Sequence, residues 1–205
     1  MIDIGMNLGH FTTLGAELVG DSGTVVAFEP NPKLCKLVGE HLVTQGLGHV
    51  KIMNCALGSE EGSVTLTVPH GNTGHSFVAE VTNRHAEEQD ERIEVPMRVG
   101  ESELANIDTD NLIVKMDVEG AELEVLQGMK QVLREKVHAM QIEISPQWLG
   151  DSKVQRIHDL LGECGFETLS ARKRGSPQPV DIRSIKEQQD VWCVRPECNP
   201  FRSSH

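Results

Sequence analysis

The chain has 205 residues, with 19 Lys and Arg against 31 Asp and Glu and a formal charge of −12 at pH 7. That length suits one domain with a full core, and the acidic balance argues against a nucleic-acid substrate, whose binding leans on Lys and Arg neutralising phosphates. Five scattered cysteines without a C-x-x-C pair and nine histidines without metal-ligand spacing argue against a disulfide framework and a metal site, and no run approaches the ~18 apolar residues of a membrane span.

The first element is a short strand, Ile2-Asp3-Ile4, followed by the turn Gly5-Met6-Asn7-Leu8-Gly9 and a helix with Phe11, Leu14 and Leu18 as its apolar face. No basic region or apolar run of a signal peptide precedes it. Opening inside a strand suggests that the domain lacks N-terminal residues. Thr24 to Phe28 reads as a second strand, ending in Glu29-Pro30-Asn31-Pro32, where Asn31 caps a helix with Pro32 in its first turn. Leu34, Leu37, Val38 and Leu42 form that helix's buried stripe, and Val50 to Met53 is a third strand.

The middle of the chain breaks this alternation. Ser63 to Val68 and Arg92 to Met97 alternate with period two and predict an inserted hairpin, with a mobile polar excursion between them. Strand and helix then resume. Leu112 to Asp117 is a buried strand, and its helix carries Val118, Ala121, Val125, Leu126, Met129 and Leu133 on one face. Val137 to Ile144 is a strand, and Ser152 with Gln155 signals the start of a helix. Phe166 to Leu169 and Val191 to Val194 complete the sheet; the basic run Arg172-Lys173-Arg174 between them reads as a solvated loop. The expected organisation is one domain over residues 1–198 and a tail over 199–205, in a reducing, cytoplasmic compartment.

Two segments carry nucleoside-binding chemistry. A strand running into a glycine turn lets a ligand approach the backbone, and Glu29 stands at the neighbouring strand tip, where a carboxylate can accept both ribose hydroxyls. A dinucleotide fingerprint wants G-x-G-x-x-G; here Asn7 replaces the middle glycine. The spacing disfavours a pyrophosphate, and with it a nicotinamide-dependent oxidoreductase, and it favours S-adenosylmethionine. Asp3, Gly5, Asn7, Gly9 and Glu29 are the candidate cofactor residues, joined by Asn54 and Ala56 in the turn after the third strand. A third segment, Lys115-Met116-Asp117-Val118-Glu119-Gly120-Ala121-Glu122, places charge at the C-terminal edge of a core strand, where open α/β sheets bind ligands. Asp117 and Glu119 are the candidate catalytic groups, one serving as a general base toward a substrate hydroxyl or helping to bind the substrate or a metal ion. Glu143, a carboxylate in a buried strand, is a substrate-side candidate.

Seven strands in this order resemble a class I, Rossmann-like methyltransferase with a mostly parallel sheet and an antiparallel last strand. The set Asp3-Ile-Gly-Met-Asn-Leu-Gly, Phe28-Glu-Pro-Asn-Pro, Ala56-Leu-Gly and Asp117-Val-Glu-Gly-Ala-Glu, followed by Leu126-x-Gly128, resembles the FkbM family of methyltransferases. That resemblance implies methyl transfer from S-adenosylmethionine, commonly to a hydroxyl of a sugar, glycan or secondary metabolite. It also suggests that Asn72, Gly74 and Ser76 close over the substrate. Met6 stands where the family places a small residue, usually alanine, which predicts crowding at the turn. The alternative is a shortened module that binds the cofactor, or nothing, and acts through partner contacts.

Overall fold

The computed structural model describes residues 1–71, 73–107, 109, 111–171, 176–199 and 201. Asn72 and the Arg172–Arg174 run lie outside the described residues. The chain alternates β1 (Ile2–Ile4), α1 (His10–Val19), β2 (Val25–Phe28), α2 (Pro32–Thr44) and β3 (Val50–Met53). A second set of strands follows: β4 (Ala56–Gly58), β5 (Gly62–Val68), β6 (Phe77–Val78) and β7 (Glu91–Val99). The chain then returns to alternation with α3 (Gly100–Leu104), β8 (Leu112–Met116), α4 (Glu122–Gln127), α5 (Lys130–Glu135), β9 (Val137–Ile144), α6 (Pro146–Glu163), β10 (Glu167–Ser170) and β11 (Gln189–Val194).

The main sheet is seven-stranded, in the order β10-β11-β9-β8-β1-β2-β3. All neighbours pair in parallel except β11, which runs antiparallel to both β9 and β10. The expected architecture is therefore present. Strand order reverses between β1 and β8, so their C-terminal ends flank a crevice, the usual ligand position in such sheets. Ile4, Val114, Met116, Met140 and Ile142 form the buried centre of the sheet, packed against Leu123, Leu126 and Met129.

The predicted hairpin is present, with Ser63 opposite Pro96 and Val64 opposite Val95, but it belongs to a four-stranded sheet in the order β4-β7-β5-β6. Ala56-Leu57-Gly58 is the edge strand β4 of that sheet. Part of the polar excursion is tied down, because Asn83 N–H donates to Trp148 O at 2.8 Å.

Four of the expected helices depart from the periodicity reading. On α1 the face against the sheet is Thr12, Gly15 and Ala16, while Phe11, Leu14 and Leu18 are exposed. Gly15 packs beside Met1, whose Sδ would lie 2.3 Å from a Cβ there. Leu37 of α2 is likewise exposed, although Asn31 does cap the helix, accepting from Lys33 N–H at 3.0 Å. The single helix expected after β8 is split into α4 and α5 around Gly128, where a Cβ would stand 1.9 Å from Gly58 O. Finally, α6 begins at Pro146, ahead of the Ser152 signal, and Gly150 interrupts it with φ +74°. Among the described residues no helix is long and apolar enough to cross a membrane.

Candidate active site

The site is built on three strand tips. After β1 the chain enters left-handed conformations at Gly5, Asn7 and Gly9 (φ +83°, +53° and +77°). The turn is sewn to β2, because Gly5 and Met6 N–H both donate to Phe28 O at 3.0 Å. Glu29, at the β2 tip, is buried and accepts from Asn7 N–H through Oε2 and from Asn31 N–H through Oε1, each at 2.8 Å. Burial pushes the Glu29 carboxyl above its ordinary value, and the two N–H groups oppose that shift. Two accepted bonds leave about two lone-pair positions on an ionised carboxylate.

These tips border a cavity of about 240 Å³. One wall is apolar, with Ile4, Phe28, Leu34 and Leu57, and the polar groups include Glu29, Asp117, Glu119 and Glu143. The donor set fits a nucleoside. An apolar slot suits the flat base, and a fixed carboxylate with spare lone pairs suits a vicinal diol. Asn7 Oδ1, on the same turn, is buried with no partner among the described residues.

The structure brings Gly5, Asn7, Glu29, Ala56, Ser76, Asp117, Glu119 and Glu143 to this cavity, and leaves three sequence-derived candidates outside its lining. Asp3 lies beneath the turn and accepts from Thr12 Oγ1; burial raises its carboxyl. Gly9 packs on α2, where a Cβ would meet Val38 Cγ1 at 2.6 Å. Asn54 Nδ2 donates to Glu29 O and Pro30 O at 2.9 and 3.0 Å, fastening the β2 tip from behind. Gly5 also serves packing, since a Cβ there would stand 1.9 Å from Asp117 O. Met6 does not crowd the cavity: its side chain is buried with Ala27, Val38 and Leu42.

The β8 tip supplies the acidic groups. Lys115 is buried, and its Nζ lies 3.4 Å from Asp117 Oδ2. Glu119 (φ +55°) and Gly120 (φ +103°) form a left-handed pair that turns the Glu119 carboxylate toward residues 74–84. Glu119 Oε1 accepts from His75 Nδ1 at 2.8 Å, and Oε2 accepts from Arg84 Nη1 at 3.1 Å. Burial first, then the charge of Asp117, raises the Glu119 carboxyl. Glu122 is deeply buried and receives Gly120 N–H at 3.1 Å, while its Oε2 has no partner among the described residues. Burial pushes its carboxyl up to about 7. Glu143 accepts from Gln188 Nε2 at 2.6 Å and is also raised, by burial and then by Asp117.

Residues 74–84 form a strap across the cavity. Asn7 Nδ2 donates to Gly74 O at 2.8 Å. The Arg84 guanidinium lies between two rings, 4.2 Å from the Phe77 centroid and 4.6 Å from that of Trp148, and Lys153 Nζ donates to Val81 O. His75 falls between Gly74 and Ser76 of the segment expected to close over the substrate, whereas Arg84, Trp148 and Gln188 carry no mark in the sequence. Arg84 sits in a polar stretch without periodicity, and no local signal marks it. Among the described residues, no group of three or more His, Cys, Asp or Glu could hold a metal ion.

Comparison with known proteins gives a consistent likeness. Residues 3–168 match the family model described as the methyltransferase FkbM domain. The chain is 26% identical over 218 residues to Methyltransferase sdnD of Sordaria araneosa, covering 92% of this chain and 81% of that protein. It is 27% identical over 144 residues to Methyltransferase 1 of Beauveria bassiana, covering 63% of this chain and 57% of that protein. Among solved structures, methyltransferase FkbM from Methylobacillus flagellatus shares the fold with a TM-score of 0.57 at 16% identity. That likeness covers 95% of this chain and 43% of the bacterial one.

Proposed function

We propose that this chain, which belongs to the FkbM methyltransferase family, binds S-adenosylmethionine in the cavity between the β1 and β2 tips and methylates a hydroxyl oxygen. The acceptor class is a sugar, glycan or secondary metabolite. The observation that carries the reading is Glu29, a buried carboxylate at the β2 tip, pre-set by two backbone N–H groups and open to the cavity.

Bound there, the sulfonium cofactor supplies an electrophilic methyl group. Glu29 would accept hydrogen bonds from the ribose hydroxyls, and Ile4, Phe28, Leu34 and Leu57 would enclose the base. Asp117 sits at the β8 tip, partly exposed and beside Lys115, where it meets the acceptor. Glu143, held by Gln188, takes a second acceptor hydroxyl. Most of the rate enhancement comes from holding acceptor oxygen and methyl group in line, a proximity effect worth up to ~7–11 kcal/mol in well-oriented systems.

The test is to incubate methyl-labelled S-adenosylmethionine with fractionated extract and the protein, then identify the labelled product. An alkali-stable methyl ether supports the reading. Label on nitrogen, carbon or sulfur, or no label in any fraction, contradicts it.

A further inference from the structure

We propose that Nε2 of His75 is the general base of the transfer, and that Glu119 is the carboxylate that fixes the tautomer of the ring. This rests on the reading that the acceptor is a hydroxyl.

The geometry carries the assignment. His75 lines the same cavity as Asn7, Glu29 and Asp117, with its side chain half-exposed. Its Nδ1 lies 2.8 Å from Glu119 Oε1, and an ionised carboxylate oxygen can only accept, so the contact calls for the proton on Nδ1. An imidazole whose Nδ1 carries the proton presents a lone pair at Nε2, on the opposite edge of the ring, and a carboxylate behind it steadies the imidazolium that forms. Glu119 is itself fixed: Arg84 holds its second oxygen, and the left-handed turn at Glu119 and Gly120 sets its direction. A nucleophile's base oriented by a third group is the general pattern of activated oxygen chemistry.

The carboxylates beside the ring are already engaged. Glu119 has both oxygens engaged by His75 and Arg84. Asp117 shares its charge with Lys115 at 3.4 Å. The charged groups facing the ring are Glu119 from the β8–α4 turn and Arg84 from its own strap, with Asp117, Glu29 and Glu143 on the other cavity walls.

The chemistry balances. As the acceptor oxygen bonds to the methyl carbon, its proton passes to Nε2. The carbon–sulfur bond breaks with its electron pair going to sulfur, leaving a neutral thioether. The imidazolium then returns its proton to solvent.

The test begins without an acceptor. Long-range ¹H–¹⁵N correlation spectra of protein labelled at histidine identify the His75 signals as those absent from His75→Asn. The expected result is the Nδ1–H tautomer in the wild type, with that preference lost in Glu119→Ala. A dominant Nε2–H tautomer in the wild type overturns the proposal, whatever the variants do. In the labelled-extract assay, His75→Asn is expected to lower methyl transfer by about 10²–10⁴-fold, while calorimetric affinity for S-adenosylmethionine stays within about threefold. Transfer by His75→Asn within about threefold of wild type also overturns it. Absence of label with the wild type counts against hydroxyl methylation instead, and the tautomer still decides the role of the pair.

Discussion

The backbone N–H of Asn7 donates to Glu29 Oε2 at 2.8 Å, fastening the turn after β1 to the tip of β2. The bond joins residues 22 apart in the chain and fixes the carboxylate without help from a ligand. Pre-organisation of this kind lowers the ordering cost of binding.

Asn7 holds a left-handed backbone (φ +53°), and its side chain reaches the strap at Gly74 O. Asn7→Ala keeps neither the ease of φ nor the tie, whereas Asn7→Gly recovers the first. Denaturant unfolding should place Asn7→Ala about 1 kcal/mol below Asn7→Gly. Equal stability would remove backbone strain from the account of this turn.

Gly128 lets α4 and α5 pass over β4, and a Cβ there would stand 1.9 Å from Gly58 O. A backbone carbonyl cannot swing aside as a side chain can. Gly128→Ala is expected to lose about 2–3 kcal/mol of stability or more. Gly162, exposed in α6 with nothing near its Cβ position, provides the control. Gly162→Ala should be neutral or gain up to about 0.5 kcal/mol.

Glu122 predicts a pH dependence of stability. The fold raises its carboxyl from 4.5 to about 7 through burial, so the folded chain holds that proton more tightly than the unfolded chain. Its contribution is complete below pH 4.5 and is lost as pH rises through about 7. Asp3, Glu29, Glu119 and Glu143 are raised as well and act in the same direction. Glu122→Gln should therefore narrow the stability difference between pH 5 and pH 8 by roughly 2–3 kcal/mol in urea titrations at both pH values. An unchanged difference would show that Glu122 stays ionised in the fold.

Arg84 holds the strap through Phe77, Trp148 and Glu119 together. Removing its guanidinium leaves the mostly buried Glu119 carboxylate with His75 as its remaining partner. Amide hydrogen exchange over residues 74–84 should accelerate at least about tenfold in Arg84→Ala, with β8 and β9 unaffected. Arg84→Lys should restore little, since a lysine does not stack in a planar slot. Unchanged exchange in Arg84→Ala would show that the β6 pairing and the ties at Gly74, Val81 and Asn83 hold the strap without it.

The sheet was legible in the sequence because its strands are short apolar runs bounded by glycine, proline and caps. The convergence of the β1 turn, Glu29 and the β8 tip on one cavity was legible for a similar reason: each is a local pattern at a strand's C-terminal end. The face of α1 was not, because periodicity counts apolar residues while the residues this helix buries are the small Thr12, Gly15 and Ala16. The break at Gly128 and the seat of Gly5 depend on carbonyls more than 60 residues away in the chain. The strap was the least legible part. His75, Arg84 and Trp148 meet only because β6 joins β5 and α6 folds back beneath it, a long-range arrangement with no local signature.

Titration calorimetry with S-adenosylmethionine tests the central claim most directly, comparing wild type with Glu29→Ala and with NAD as competitor ligand. Loss of charged hydrogen bonds to a diol predicts saturable one-to-one binding in the wild type and at least about a 100-fold weaker dissociation constant in Glu29→Ala. Binding of NAD in preference to S-adenosylmethionine, or equal affinity in the two proteins, would contradict it.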